Sequence, residues 1–100
     1  MMNDPTEVSP NNYKTIFENE EVRVIQAEWQ PGDRDEMHSH PNNFVIYALT
    51  DIKLDIQSPD GESDVMDAEA GSVTFMHPVE MHSTQNIGKA EARAILVDLK

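Results

Sequence analysis

The sequence predicts an all-β fold, a sandwich or barrel of seven to nine short strands. Three observations point there. Apolar residues come in short clusters rich in Val, Ile, Phe and Tyr. Turn signals separate them every 8–12 residues or so. One stretch, Asp51 to Gln57, alternates strictly, with Ile52, Leu54 and Ile56 set against Asp51, Lys53, Asp55 and Gln57.

The elements follow in order. Residues 1–12 are polar and hold Pro5, Pro10, Asn11 and Asn12, so they read as an N-terminal arm or loose first segment. Residues 13–100 read as one β-domain. Tyr13–Phe17 and Glu21–Trp29 are the first strands, and Pro31-Gly32-Asp33 closes them with a turn. Phe44–Leu49 is almost wholly apolar, as in a strand buried on both faces. Ser58-Pro59-Asp60-Gly61 is a strong hairpin turn after the alternating strand. Asp64–Ala70 is a weak strand or loop, and Ala70-Gly71 turns into a strand over Ser72–Met76. Pro78-Val79-Glu80 interrupts before Met81–Ile87. Gly88-Lys89 turns into the last strand, Ala92–Leu99, and the helical composition of 89–94 is too short to stand against it.

At 100 residues and 11.3 kDa, one hydrophobic core fits and two do not. Seven basic against nineteen acidic residues give a net charge of -12. That charge repels phosphate backbones and anionic membrane surfaces, so neither nucleic acid nor membrane is an expected partner. The absence of cysteine excludes disulfide scaffolds, cysteine zinc sites and cysteine nucleophiles. No apolar run approaches the length of a membrane span, and Met1–Pro5 lacks the basic and apolar regions of a signal peptide. A cytoplasmic protein is expected.

All four histidines fall in two clusters, His38-Ser39-His40 and His77-Pro78-Val79-Glu80-Met81-His82. In extended chain, His38 and His40 leave the same face and can take adjacent positions on one ion. His82 lies far down the chain from them, at the head of a predicted strand. Three imidazoles with an open fourth position are the layout of a catalytic metal site, and imidazole suits several transition metals. A lone His-x-His in a loop is as readily a surface pair. No phosphate loop, nucleophile elbow or basic–aromatic stripe competes with this reading.

The glycines set the clusters in a pattern. Gly32-x5-His38-Ser39-His40 resembles the first half of cupin motif one, and Gly71-x5-His77-x4-His82-x3-Asn86 resembles cupin motif two. The chain from about Tyr13 to Lys100 resembles a small single-domain cupin, of the cupin-2 or RmlC-like kind. Motif one ordinarily carries a glutamate with three or four residues between it and the second histidine, at the positions where Phe44 and Val45 stand here. In motif two, His77 stands in place of a proline and Val79 in place of a glycine.

The resemblance implies a cupin-type jelly-roll β-barrel. It implies one divalent metal (iron, zinc, nickel, copper or manganese) on His38, His40 and His82, a three-histidine set like that of the thiol dioxygenases. An enzyme on a small organic molecule follows, dioxygenase-like in its most specific version. An isomerase or lyase fits the same residues, and the alternative is a non-catalytic small-molecule or metal-binding module. Small cupins commonly pair, so a homodimer is expected.

Strand parity from the histidines places Phe44, Thr84 and Asn86 inward, with Phe75 as a further apolar wall of the pocket. Core packing is the simpler role for both phenylalanines. His77, Glu80 and Tyr47 are weak candidates for a catalytic or second-sphere role; a turn cap, a solvated carboxylate and core or surface packing are their plainer readings. Met76 and Met81 are expected as core filler. The acidic runs Asp33–Glu36 and Glu62–Asp64 read as solvated faces, the first lying on the approach to the histidines. Metal binding is expected to weaken below about pH 6, because ligating imidazoles must be neutral.

Overall fold

A computed structural model describes residues 3–100. Helix α1 spans Pro5–Val8, and nine strands follow: β1 Tyr13–Glu18, β2 Val22–Trp29, β3 His38–His40, β4 Phe44–Ala48, β5 Ile52–Gln57, β6 Ser63–Ala68, β7 Val73–Met76, β8 Val79–Asn86 and β9 Ala92–Leu99. They form two antiparallel sheets, ordered β1-β2-β9-β4-β7 and β3-β8-β5-β6. The strand between Pro78 and Asn86 starts two residues earlier than expected, because Val79 pairs with His40.

The alternation that marks β5 sets its burial. Ile52 and Leu54 are buried, and Lys53 between them is exposed. On β9, Ala92, Ala94 and Leu96 turn inward, opposite Trp29, Ala27 and Ile25 of β2. Small alanines at 27, 48, 92 and 94 leave room between the sheets for Tyr13, Trp29 and Phe44. The hairpin turn ends on Gly61 at φ +91°, a left-handed conformation that residues with a Cβ rarely adopt.

The polar segment before Tyr13 is folded against the sheets over its described part. Asp4 caps α1, accepting from the Thr6 amide at 2.9 Å, and its other oxygen meets Arg23 at 2.7 Å. The same guanidinium reaches Asp98 at 3.1 Å. Two backbone groups tie the segment to the histidine loop: Glu36 donates to Ser9 Oγ at 2.7 Å, and Ser39 donates to the Asn3 carbonyl at 2.9 Å. Nothing local predicts this docking, because its partners come from distant parts of the chain.

The run Asp33–Glu36 also departs from its solvated reading. Only Glu36 of the four is exposed. Arg34 donates to Asp55 and Ser83 Oγ, both at 2.6 Å. Asp35 is buried, its side chain wholly so. Charge-run reasoning missed this because the Asp35 partners come from β1, β2 and β8.

Candidate metal centre

β3 and β8 lie side by side, with His38 directly opposite His82. A register shift between His38 and His40 adds a residue on β8. All three side chains point between the sheets: His38 is 0% exposed, His40 3% and His82 8%. Their ring centroids are 4.7–5.1 Å apart, and one ligand nitrogen from each lies within 4.8 Å of the others. Sequence spacing thus brings together the three residues it selected.

Their electrostatics suit a cation. Burial, then the charges of His38 and His82, hold His40 down to about 2. Burial, then His38, holds His82 down to about 4. Both imidazoles are therefore neutral at pH 7, with lone pairs free to ligate. The onset of proton competition expected near pH 6 for ordinary histidines moves down for these two. His38 Nδ1 lies 2.8 Å from the Glu36 carbonyl. A carbonyl only accepts, so Nδ1 carries the proton and Nε2 is left for a metal.

A polar cluster that sequence reasoning missed stands beside His38. Asp35 accepts a short hydrogen bond from Tyr13 Oη, one from Trp29 Nε1 at 3.1 Å and one from the Thr84 amide at 2.7 Å. Its Oδ1 also lies 3.6 Å from His38 Nδ1. Burial raises the Asp35 carboxyl although His38 and these bonds pull it down. Burial, then the Asp35 charge, pushes the Tyr13 phenol well above its usual range. The one available signal was the apolar setting of Tyr13 at a strand start, which marks core rather than chemistry.

Phe44 is inward, as parity predicts, and its ring stacks on His40 at 4.3 Å between centroids. An apolar ring thus covers one face of the His40 imidazole. Thr84 also lines the cavity. Two other expectations are corrected. Phe75 is 53% exposed on the outer face, because Met76 is the β7 residue that lines the cavity. Asn86 is buried but does not line it. Its amide donates to the carbonyls of Trp29 and Ala90 at 3.0 and 2.9 Å and accepts from the Gly88 amide at 2.8 Å, clamping one end of the barrel. His77, Glu80 and Tyr47 are exposed and outside the cavity lining. His77 meets the Phe75 ring edge instead.

The cavity beside His40 and His82 is walled by apolar side chains, including Leu54, Met66 and Met76, with a volume of about 30 Å³. One water needs about 10–15 Å³ on this measure, so the interior takes an ion and very few further atoms.

Solved structures share this geometry of sheets. A cupin domain from Bordetella pertussis Tohama I superposes with a TM-score of 0.80 at 22% identity, over 88% of this chain and 91% of that one. The fold is that of a small cupin-type domain. A double-stranded β-helix protein from Klebsiella pneumoniae aligns with a TM-score of 0.68 at 17% identity, over 91% of this cupin barrel and 79% of that chain. Oxalate oxidase in complex with the substrate analogue glycolate aligns with a TM-score of 0.57 at 20% identity, over 76% of this chain and 40% of that one. No family model and no curated protein matches the sequence. Among the described residues, no helix is long and apolar enough to cross a membrane.

Proposed function

We propose that this cupin barrel is a metal-dependent enzyme acting on a small organic molecule, with one divalent cation held by His38, His40 and His82. The observation that carries this reading is the convergence of three buried imidazoles, two of them held neutral, in a barrel interior. An all-imidazole donor set suits iron, zinc, nickel, copper or manganese better than calcium or magnesium. When bound, such a metal supplies Lewis-acid activation of a substrate oxygen or water or, if it is iron, dioxygen chemistry. The apolar walls exclude water and strengthen the electrostatics inside. Tyr13 and Thr84 supply polar atoms at the cavity. A dioxygenase-like reaction is the most specific version, and isomerase or lyase chemistry suits the same residues. We place the protein in the cytoplasm on its composition.

The small cavity and Phe44 beside His40 favour a second reading, a binding module without turnover. Turnover separates the two. Metal-loaded wild type should consume dioxygen or deplete a substrate when screened against small thiols and small carboxylic acids, and His82→Ala should not. A fully loaded protein that holds one of these compounds without converting any would favour the binding module.

The proposal includes a homodimer through the outer face of the five-stranded sheet. Val73 is 63% exposed, Phe75 53% and Tyr47 41%. In register beside them stand Val45, Ile95 and Val97. The face is apolar and continuous, and β7 forms its unpaired edge, two features that suit a second copy of the chain. Phe75→Asp should be monomeric in sedimentation velocity where wild type is dimeric. The wild-type dimer should tighten with salt, because the charge of -12 on each copy is then screened. A monomeric wild type at tens of micromolar would contradict the interface.

A further inference from the structure

We propose that Tyr13 Oη is a fourth protein ligand of the metal, an oxygen donor supplied from β1 beside the three histidines. The inference deepens the metal-site reading above and rests on it. The geometry that points to it is an unmediated approach of two acceptors. His38 Nδ1 gives its proton to the Glu36 carbonyl, so Nε2 presents a lone pair. Tyr13 has one phenolic proton, and the short bond to Asp35 Oδ2 takes it. Trp29 donates to that same oxygen and the Thr84 amide to the other, which holds Asp35 as the acceptor of the group. Thr84 also reaches the phenol with its side chain.

What remains on Tyr13 Oη is a lone pair, and the oxygen lies 3.5 Å from His38 Nε2. Two buried lone pairs facing each other repel unless a cation or a hydrogen-bond donor lies against both. The separation suits one ion. Nitrogen and oxygen ligands about 2.0–2.2 Å from one ion stand about 3.3–3.8 Å apart at angles between the tetrahedral value and about 120°, and at about 120° a five-coordinate ion keeps a position for substrate. Tyr13, His40 and His82 line one cavity. Phe44 brings no oxygen from β4. Without a carboxylate after His40, β1 becomes the source of a hard donor in an otherwise nitrogen site.

The test is cobalt(II) titration of the metal-free protein, read by the visible ligand-field spectrum, which reports coordination number and donor set. Wild type should bind one equivalent. Tyr13→Phe should bind about tenfold more weakly or worse, on the scale of a lost metal-site contact, with a changed spectrum. An unchanged spectrum and affinity in Tyr13→Phe would overturn the Tyr13 assignment and leave the histidine site standing. No cobalt binding by wild type would overturn both. Because Tyr13→Phe removes a buried bond, a second measurement uses Tyr47→Phe, altered at an exposed position, in which Tyr13 is the sole tyrosine. If zinc sits on Oη, the phenolic proton passes along the short bond to Asp35 Oδ2, and the tyrosine absorption band should shift in proportion to added zinc up to one equivalent. A band that stays fixed as zinc binds would overturn the assignment.

Discussion

Asp35→Ala should destabilise the metal-free domain by roughly 3–5 kcal/mol, the scale for removing one partner from a buried charged network. The carboxylate accepts from Tyr13, Trp29 and the Thr84 amide, and its side chain is wholly buried. Alanine leaves three donors from three strands without an acceptor. Each orphaned donor costs about 1–3 kcal/mol. The strain already carried by a buried carboxylate, visible in its raised pKa, offsets part of this. Asp55→Ala is the control. It breaks the pair with Arg34, whose partners are 31% and 21% exposed, and should cost no more than about 1 kcal/mol. Urea unfolding of both variants gives the comparison. A loss below about 1 kcal/mol for Asp35→Ala would mean that these bonds do not hold β1, β2 and β8 together.

The second large effect is acid sensitivity without metal. His40 and His82 are held down to about 2 and about 4 in the folded state, while unfolded histidine titrates near 6.5. Below pH 6.5 the unfolded chain therefore binds protons that the folded chain refuses. The sign follows: stability is complete above the unfolded value and falls as pH drops below it. Each group removes up to about 1.4 kcal/mol per pH unit. The pair thus removes roughly 6 kcal/mol by pH 4, much of the 5–15 kcal/mol typical of a domain. Asp35 and Asp98, both raised by burial, work in the opposite sense and soften the fall at its acid end. Thermal melting of the metal-free protein should show a steep decline between pH 6.5 and 4.5, and His40→Asn should show a shallower one. A flat or rising profile for the metal-free wild type would contradict the neutral, buried state of the imidazoles.

Much of this architecture was legible because its signals are local. Period two in β5, the turn at Gly61 and the i, i+2 spacing of His38 and His40 each depend on a few consecutive residues. His82 was legible through motif spacing. The rest depends on pairing across the fold. Phe75 and Met76 are both apolar, and only the register of β7 on β4 decides which one faces inward. Asp35 reads as one more charge in an acidic run, and its burial comes from strands β1, β2 and β8. Tyr13 and His38 are separated by the whole of β2 and the loop after it, and no local pattern links a strand-opening tyrosine to a histidine pair. Asn86 kept its inward parity but sits at the end of β8, where backbone groups need an amide more than the cavity does.

The central claim is a three-histidine metal centre, and elemental analysis of the untagged protein beside His82→Ala tests it most directly. Wild type should carry about one equivalent of iron, zinc, nickel, copper or manganese, as isolated or after reconstitution. His82→Ala, folded but short of one imidazole, should lose it. A folded wild type that takes up none of the five metals, or a His82→Ala variant that keeps a full equivalent, would contradict the site.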